Sequence, residues 1–296
     1  MGLTVIPERL APPAPGESRT YAVHSRTEIR LPGQQLIQTG AVLVRVAVRE
    51  TTPAGYLVEL TTLEVRPDAP SPPVALLIDI ARCQSPLLVE TDAHGALRRV
   101  VNKAVLATQW QAALPELAAR YRAQPGATAL LALLALVAPQ YAEDTDHLEQ
   151  ALAYKGPLAV LLPGLFGLHS SQGDTRTDAK TVHQALGTLA LPLHVTWTAA
   201  PAADVFAPTV EVEGVGHLDR TRFDESACQQ VLEALRGGVW TGPSASLQVF
   251  WREAYTVGRL GQGLLAGRQG LRLAVDKLYF AEISHTARPA TTLTAA

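Results

Sequence analysis

The stretch "GLFGLHSSQGDTRTD", Gly164–Asp178, places a His, two Ser and two Asp immediately after an apolar run. These are the residue types of a hydrolytic triad, with His169 as general base and Ser170 as nucleophile. A nucleophile elbow, however, needs a G-x-S-x-G frame at a strand-to-helix turn, so that a strained backbone exposes the Ser oxygen beside oxyanion-binding amides. That frame is absent here. Triad partners are also assembled by the fold and not by adjacency in sequence, so the segment reads first as a polar loop leaving a buried stretch.

A second constellation is "GVGHLDRTRFDES", where His217 and Asp219 are two apart and Asp224 follows. Residues i and i+2 of a strand share a face, so His217 and Asp219 could form an acid–base pair or supply two metal ligands. No third ligand is identifiable. The structural alternative has Gly214 and Gly216 shaping a bulge, His217 and Asp219 solvated at a strand end, and Asp224 capping the next helix.

The glycine run "GRLGQGLLAGRQG" raises phosphate binding, because glycines let backbone amides approach an anion. Gly261, Gly263 and Gly267 give G-x-G-x-x-x-G, one residue too long for the dinucleotide fingerprint, and no G-K-[ST] follows. A strand-connecting loop is the favoured reading, and no cofactor is expected. The other histidines lack H-x-x-x-H spacing, and Cys83 and Cys228 stand far apart without a C-x-x-C, so neither a metal site nor a disulfide framework is expected.

The elements that must position these residues follow from periodicity. In "AVLVRVAVRE" Val42, Val44, Val46 and Val48 fall on one face at period two while Arg45 and Arg49 point the other way, and "YLVELTTLEV" follows the break "TTPAG", so 41–65 reads as an antiparallel pair. With "RTYAVHSRTEIRL" ahead of it, a three-stranded meander is expected. Residues 74–83 read as a short apolar helix, and Leu87–Val101 as a hairpin turning at "DAHG". Asn102 is expected to cap a helix through Arg122, kinked or split by Pro115, followed by helices at 127–138 and 143–154. Strands return in "PLHVTWT" and "PTVEVEGVG", then a helix from Asp224 to Arg236. Finally "SLQVFWREAYTV" and "GLRLAVDKLYFAEIS" read as two long strands across the glycine run.

The expected fold is α+β, with antiparallel sheet regions at both ends flanking a central helical segment packed as a layer or insertion. The domain reading is an irregular Pro-rich lead-in at 1–18, one domain over 19–286 with lobes at 19–157 and 158–286 as an option, and a flexible tail at 287–296.

Net charge is −2 and neither half of the 296 residues is basic, which argues against nucleic-acid binding. The longest apolar helical run, Ala127–Pro139, is too short to span a membrane, and no signal-like segment opens the chain, so a soluble, cytoplasmic, bacterial-type protein is expected. With no catalytic frame in view, the reading leans away from an enzyme. A non-enzymatic protein that binds a protein partner, self-associates or serves as an accessory subunit of an assembly comes first. The alternatives are a small-molecule or lipid carrier in which the sheet curls around an apolar cavity, and a hydrolase using His169/Ser170 or His217/Asp219.

Overall fold

The computed structural model describes residues 10, 13–69, 71–154, 156–168, 175–187, 189–201, 209–236, 247–258, 263–276 and 278–293. The strands are β1 (Ser18–Leu31), β2 (Gln34–Thr52), β3 (Gly55–Pro67), β4 (Leu87–Thr91), β5 (Leu97–Val100), β6 (Thr175–Leu186), β7 (Leu189–Pro201), β8 (Thr209–Leu218), β9 (Leu247–Gly258), β10 (Gly263–Val275) and β11 (Tyr279–Pro289). The helices are α1 (Pro72–Cys83), α2 (Lys103–Arg122), α3 (Ala127–Ala135), α4 (His147–Tyr154) and α5 (Glu225–Arg236), with single 3₁₀ turns at Ala138–Tyr141 and Ala159–Leu161.

All eleven strands belong to one antiparallel sheet, in the order β5-β4-β3-β2-β1-β11-β10-β9-β8-β7-β6. This overturns the expectation of separate sheet regions flanking a central helical segment. The two β-rich ends of the chain are zipped together by β1 and β11, from Tyr21↔Pro289 to Arg30↔Phe280. Alternation of apolar and polar residues assigns a strand and its faces, but it carries no information about which distant strand is the partner.

The helical middle is not a layer between sheets. It lies against one face of the single sheet and meets both of its ends: α4 contacts β5 and β6, the two edge strands, and the 159–161 turn packs on β10 and β11 at the centre. The sheet therefore curls around this segment, the direction in which the twist of a long antiparallel sheet takes it. Polar ties fix the closure. Glu149 of α4 accepts from the Val100 amide of β5 at 2.8 Å and pairs with Lys103 at 2.8 Å. On the other side Arg176 of β6 donates to the Gly164 carbonyl and lies 3.2 Å from His94 in the β4–β5 turn. Both edge strands are thus in contact with the helical segment or the turns beside it.

Local expectations meet mixed outcomes. The "DAHG" turn forms, with Gly95 at φ +86° and the Asp92 carboxylate accepting from the His94 and Ala96 amides. Helix α2 runs through Pro115 without splitting. Asn102 precedes α2, but its side chain bonds the Leu88 amide and the Pro86 carbonyl, so it fastens the helix start to β4 instead of capping it. The glycine run is not a loop throughout, because from Gly263 onward it is β10. "GLRLAVDKLYFAEIS" is broken by a turn at Asp276, with φ +41°, into the end of β10 and the start of β11. Strand β6 has no counterpart in the expected elements, because its polar sequence TRTDAKTVHQAL shows too few apolar residues on one face. At its far end β11 continues to Pro289, and Leu293 beyond it is buried against Ala22, Ala41 and Leu43 on the outer face.

Gly214 and Gly216 do not make a bulge, since β8 keeps an unbroken register with β7 and β9. They clear space for indoles. A Cβ at Gly214 would fall 2.6 Å from Trp197, and one at Gly216 would fall 2.8 Å from Trp251. Trp197 and Trp251, both fully buried, belong to the main hydrophobic core.

Candidate functional site

His169 and Ser170 lie outside the described residues. His217 is exposed at the end of β8, whereas Asp219 is buried in the turn that follows, so the pair does not share an environment. The Asp219 carboxylate accepts from the Thr221 amide at 3.0 Å and the Thr221 hydroxyl at 2.6 Å, and its other oxygen lies 3.0 Å from Nε2 of His194. The Thr221 hydrogen bonds, and secondarily the adjacent His194, hold the Asp219 carboxyl below its ordinary range. His217 sits opposite His194 across β7 and β8. The arrangement organises a turn, and among the described residues no cluster of three His, Cys, Asp or Glu side chains could hold a metal ion. Asp224 does cap α5, accepting from the Ala227 amide at 2.9 Å.

A different polar set emerges on the concave face. Inward-facing positions of the central strands are overwhelmingly apolar, for example Val23, Ala287, Leu271, Leu273 and Val257, all buried. Four polar side chains interrupt them in one line. Ser25 of β1 stands opposite His285 of β11, His285 opposite Gln269 of β10, and Gln269 opposite Glu253 of β9. Glu253, Gln269 and His285 are all more than nine-tenths buried.

The two ends of this row differ. Glu253 is saturated: it accepts from Lys180 Nζ at 2.7 Å, Trp251 Nε1 at 2.7 Å and the Tyr255 hydroxyl at 2.5 Å, and Lys180 lies 4.7 Å from the centre of the Trp197 ring. Burial first, and the Glu253 carboxylate second, push the Tyr255 hydroxyl well above its ordinary pKa. Gln269 keeps a buried Oε1 with no hydrogen-bond partner within the protein. At the other end the Ser25 hydroxyl and His285 Nδ1 are 2.8 Å apart.

A Ser–His contact suggests a nucleophile, but Ser25 sits inside an unbroken ladder between Gly40 of β2 and His285 of β11. Backbone amides there are committed to the sheet and form no oxyanion hole. The pair instead contributes to the floor of a groove. This groove, of about 330 Å³, lies between α1 and the concave face of β1, β2, β3 and β11. Its volume is at the lower end of the range for small-molecule sites.

Helix α1 forms one wall through Val74, Leu77, Ile78 and Ala81, the i, i+3, i+4, i+7 stripe of an amphipathic helix. That stripe faces Val42 and Val65 across a gap where it would ordinarily pack, and Leu77 remains 51% exposed. The opposite side of α1 is anchored. Asp79 accepts from the Tyr121 hydroxyl at 2.8 Å and from Arg120 at 2.6 Å, both on α2, and burial together with this carboxylate raises the Tyr121 hydroxyl to about 12. A smaller apolar cavity of about 80 Å³ lies under the 161–166 segment, lined by Tyr21, Tyr56, Val58 and Phe166 among others.

Sequence reasoning passed over the groove and the polar row. The available signal was a polar residue at an apolar register position: Glu253 between Trp251 and Tyr255, Gln269 beside Leu271, and His285 between Ile283 and Ala287.

No family model and no curated protein matches the chain. Among solved structures the chain is similar to one described as lipid–protein interactions in lipovitellin, with a TM-score of 0.51 and 11% sequence identity. The likeness is one of fold. It covers 96% of this chain but 27% of the lipovitellin chain, so the present protein spans about a quarter of that structure's length. Among the described residues no helix is long and apolar enough to cross a membrane.

Proposed function

We propose that the protein is a carrier that holds a lipid or another small apolar molecule in the groove between α1 and the concave face of the sheet. The observation that carries this reading is the apolar stripe of α1, which lines a groove of about 330 Å³ together with Val42 and Val65 of the sheet, while Asp79 on the same helix is tied to α2. Leaving such a stripe unpacked forfeits burial worth about 25 cal/mol per Å², and a ligand restores it. The fold likeness to lipovitellin agrees with this assignment.

The accessory-subunit reading draws no comparable support. The large exposed apolar residues fall on different elements, such as Leu36 and Ile37 at the β1–β2 tip, Leu136 after α3 and Phe250 on β9. A contiguous apolar patch is what a stable partner would require. The hydrolase reading has no assembled catalytic group among the described residues.

The test is solvent extraction of the purified protein followed by mass spectrometry, together with titration of a fluorescent long-chain alkyl probe. Recovery of a near-stoichiometric lipid, or saturable probe binding at one site, is expected. An empty protein that also fails to bind the probe would overturn the carrier assignment.

A further inference from the structure

The chemistry of the groove floor narrows the ligand. This step rests on the carrier reading and concerns the ligand's polar end. Beside Ser25 and His285, the groove is lined by Thr27 of β1 and Gln38 of β2, which stand directly opposite one another in register. Ser25 itself faces Gly40 across β2, so no side chain covers its hydroxyl from that strand. Ser25, Thr27 and Gln38 are half-buried, and they form a cluster at the end of an otherwise apolar groove.

Among the described residues no fixed charge joins this cluster. Arg66 lines the groove, but it pairs in register with Ala41, which faces outward, and its guanidinium donates to Glu64 and to the Leu293 carbonyl on that outer side. Among the described residues no Asp, Glu or Lys lines the groove. A charged head group placed there would lose hydration without gaining a counter-charge, whereas a neutral one loses less. Hydroxyl and amide side chains can each donate and accept, which matches a hydroxyl group that does both.

From this we infer that the groove takes a single-chain amphiphile with an uncharged, hydroxylated head, such as a monoacylglycerol or a long-chain alcohol. Its chain lies along the α1 stripe and its hydroxyls bond Thr27, Gln38 and the Ser25–His285 pair.

The experiment is displacement of the alkyl probe by three ligands of equal chain length at about pH 8, where a free carboxyl is ionised: a monoacylglycerol, the fatty acid and its methyl ester. The monoacylglycerol is expected to bind about tenfold more tightly than either of the others, the worth of one or two net hydrogen bonds. In the Thr27→Val/Gln38→Leu variant that advantage should vanish while methyl ester binding persists, which also reports that the variant is folded. Equal binding of all three ligands, or tightest binding of the fatty acid, would overturn the inference and leave the carrier reading intact. Failure of all three to displace or bind would remove the carrier reading itself.

Discussion

Lys180 and Glu253 lie three strands apart in the sheet, yet the Lys180 ammonium is 2.7 Å from the Glu253 carboxylate on the concave side. The lysine reaches across the face of Trp197 to do so. Breaking a buried pair by removing one member leaves an uncompensated charge, a loss of about 3–5 kcal/mol. Lys180→Met should therefore lower the urea midpoint steeply. Adding Glu253→Gln in the same chain should recover part of the loss, because the remaining amide still accepts from Trp251 or Tyr255. Equal stability of Lys180→Met and the unmodified protein would show that the pair is solvated and not buried.

The clearance at Gly214 is a second point of sensitivity. A methyl group there would sit 2.6 Å from the Trp197 ring, which is fully buried and has nowhere to retreat. Overpacking of this kind costs about 1–3 kcal/mol. Gly270 on β10 offers the control, since the nearest atom to its added Cβ is 3.9 Å away. Gly214→Ala should lower thermal stability by several degrees and Gly270→Ala should shift it little; a reversed order would refute the steric account.

What the sequence made legible was local. The valine alternation of β2, the "DAHG" turn and the Asp224 cap each depend on residues within a few positions of one another, and each is present in the structure. What escaped was non-local. The β1–β11 pairing brings together Ser25 and His285, which are 260 residues apart, and no periodicity announces such a partnership. Strand β6 escaped because Lys180, which points into the core, is paired there with Glu253; a charged residue in an inward position reads as a solvated one until its partner is known. The groove escaped for a related reason. The α1 stripe is visible in the sequence, but that it lines a groove beside Val42 and Val65 depends on how α1 docks on α2 and β3, which are distant in sequence.

Asp219 carries a pH signature. Its folded-state pKa is depressed below the ordinary 3.8, chiefly by the Thr221 hydrogen bonds and then by His194. A depressed carboxyl contributes stability that is present above its unfolded value and is lost as the pH falls through the folded one. Stability should thus decline below about pH 4, and Asp219→Asn should flatten that part of the acid limb while lowering stability at neutral pH. Urea midpoints measured across this range decide the matter. An unchanged acid limb in the variant would mean that the Thr221 and His194 contacts do not distinguish the folded from the unfolded carboxylate.

The carrier assignment places its most direct demand on Leu77. This residue is half-exposed on α1, and its side chain borders the groove while the helix is secured from its other side by Leu76 and Asp79, both buried. Leu77→Trp adds bulk where nothing packed is displaced, so the fold should persist with a thermal midpoint close to that of the unmodified chain. The indole should fill the gap opposite Val42 and Val65 and weaken alkyl-probe binding about tenfold or more, since a filled groove must expel a packed ring before it admits a chain. Leu136→Trp, on a solvent-exposed residue after α3, provides the matched surface control. If both variants bind the probe as tightly as the unmodified protein, the ligand lies elsewhere, and the 80 Å³ cavity beneath the 161–166 segment becomes the next region to obstruct.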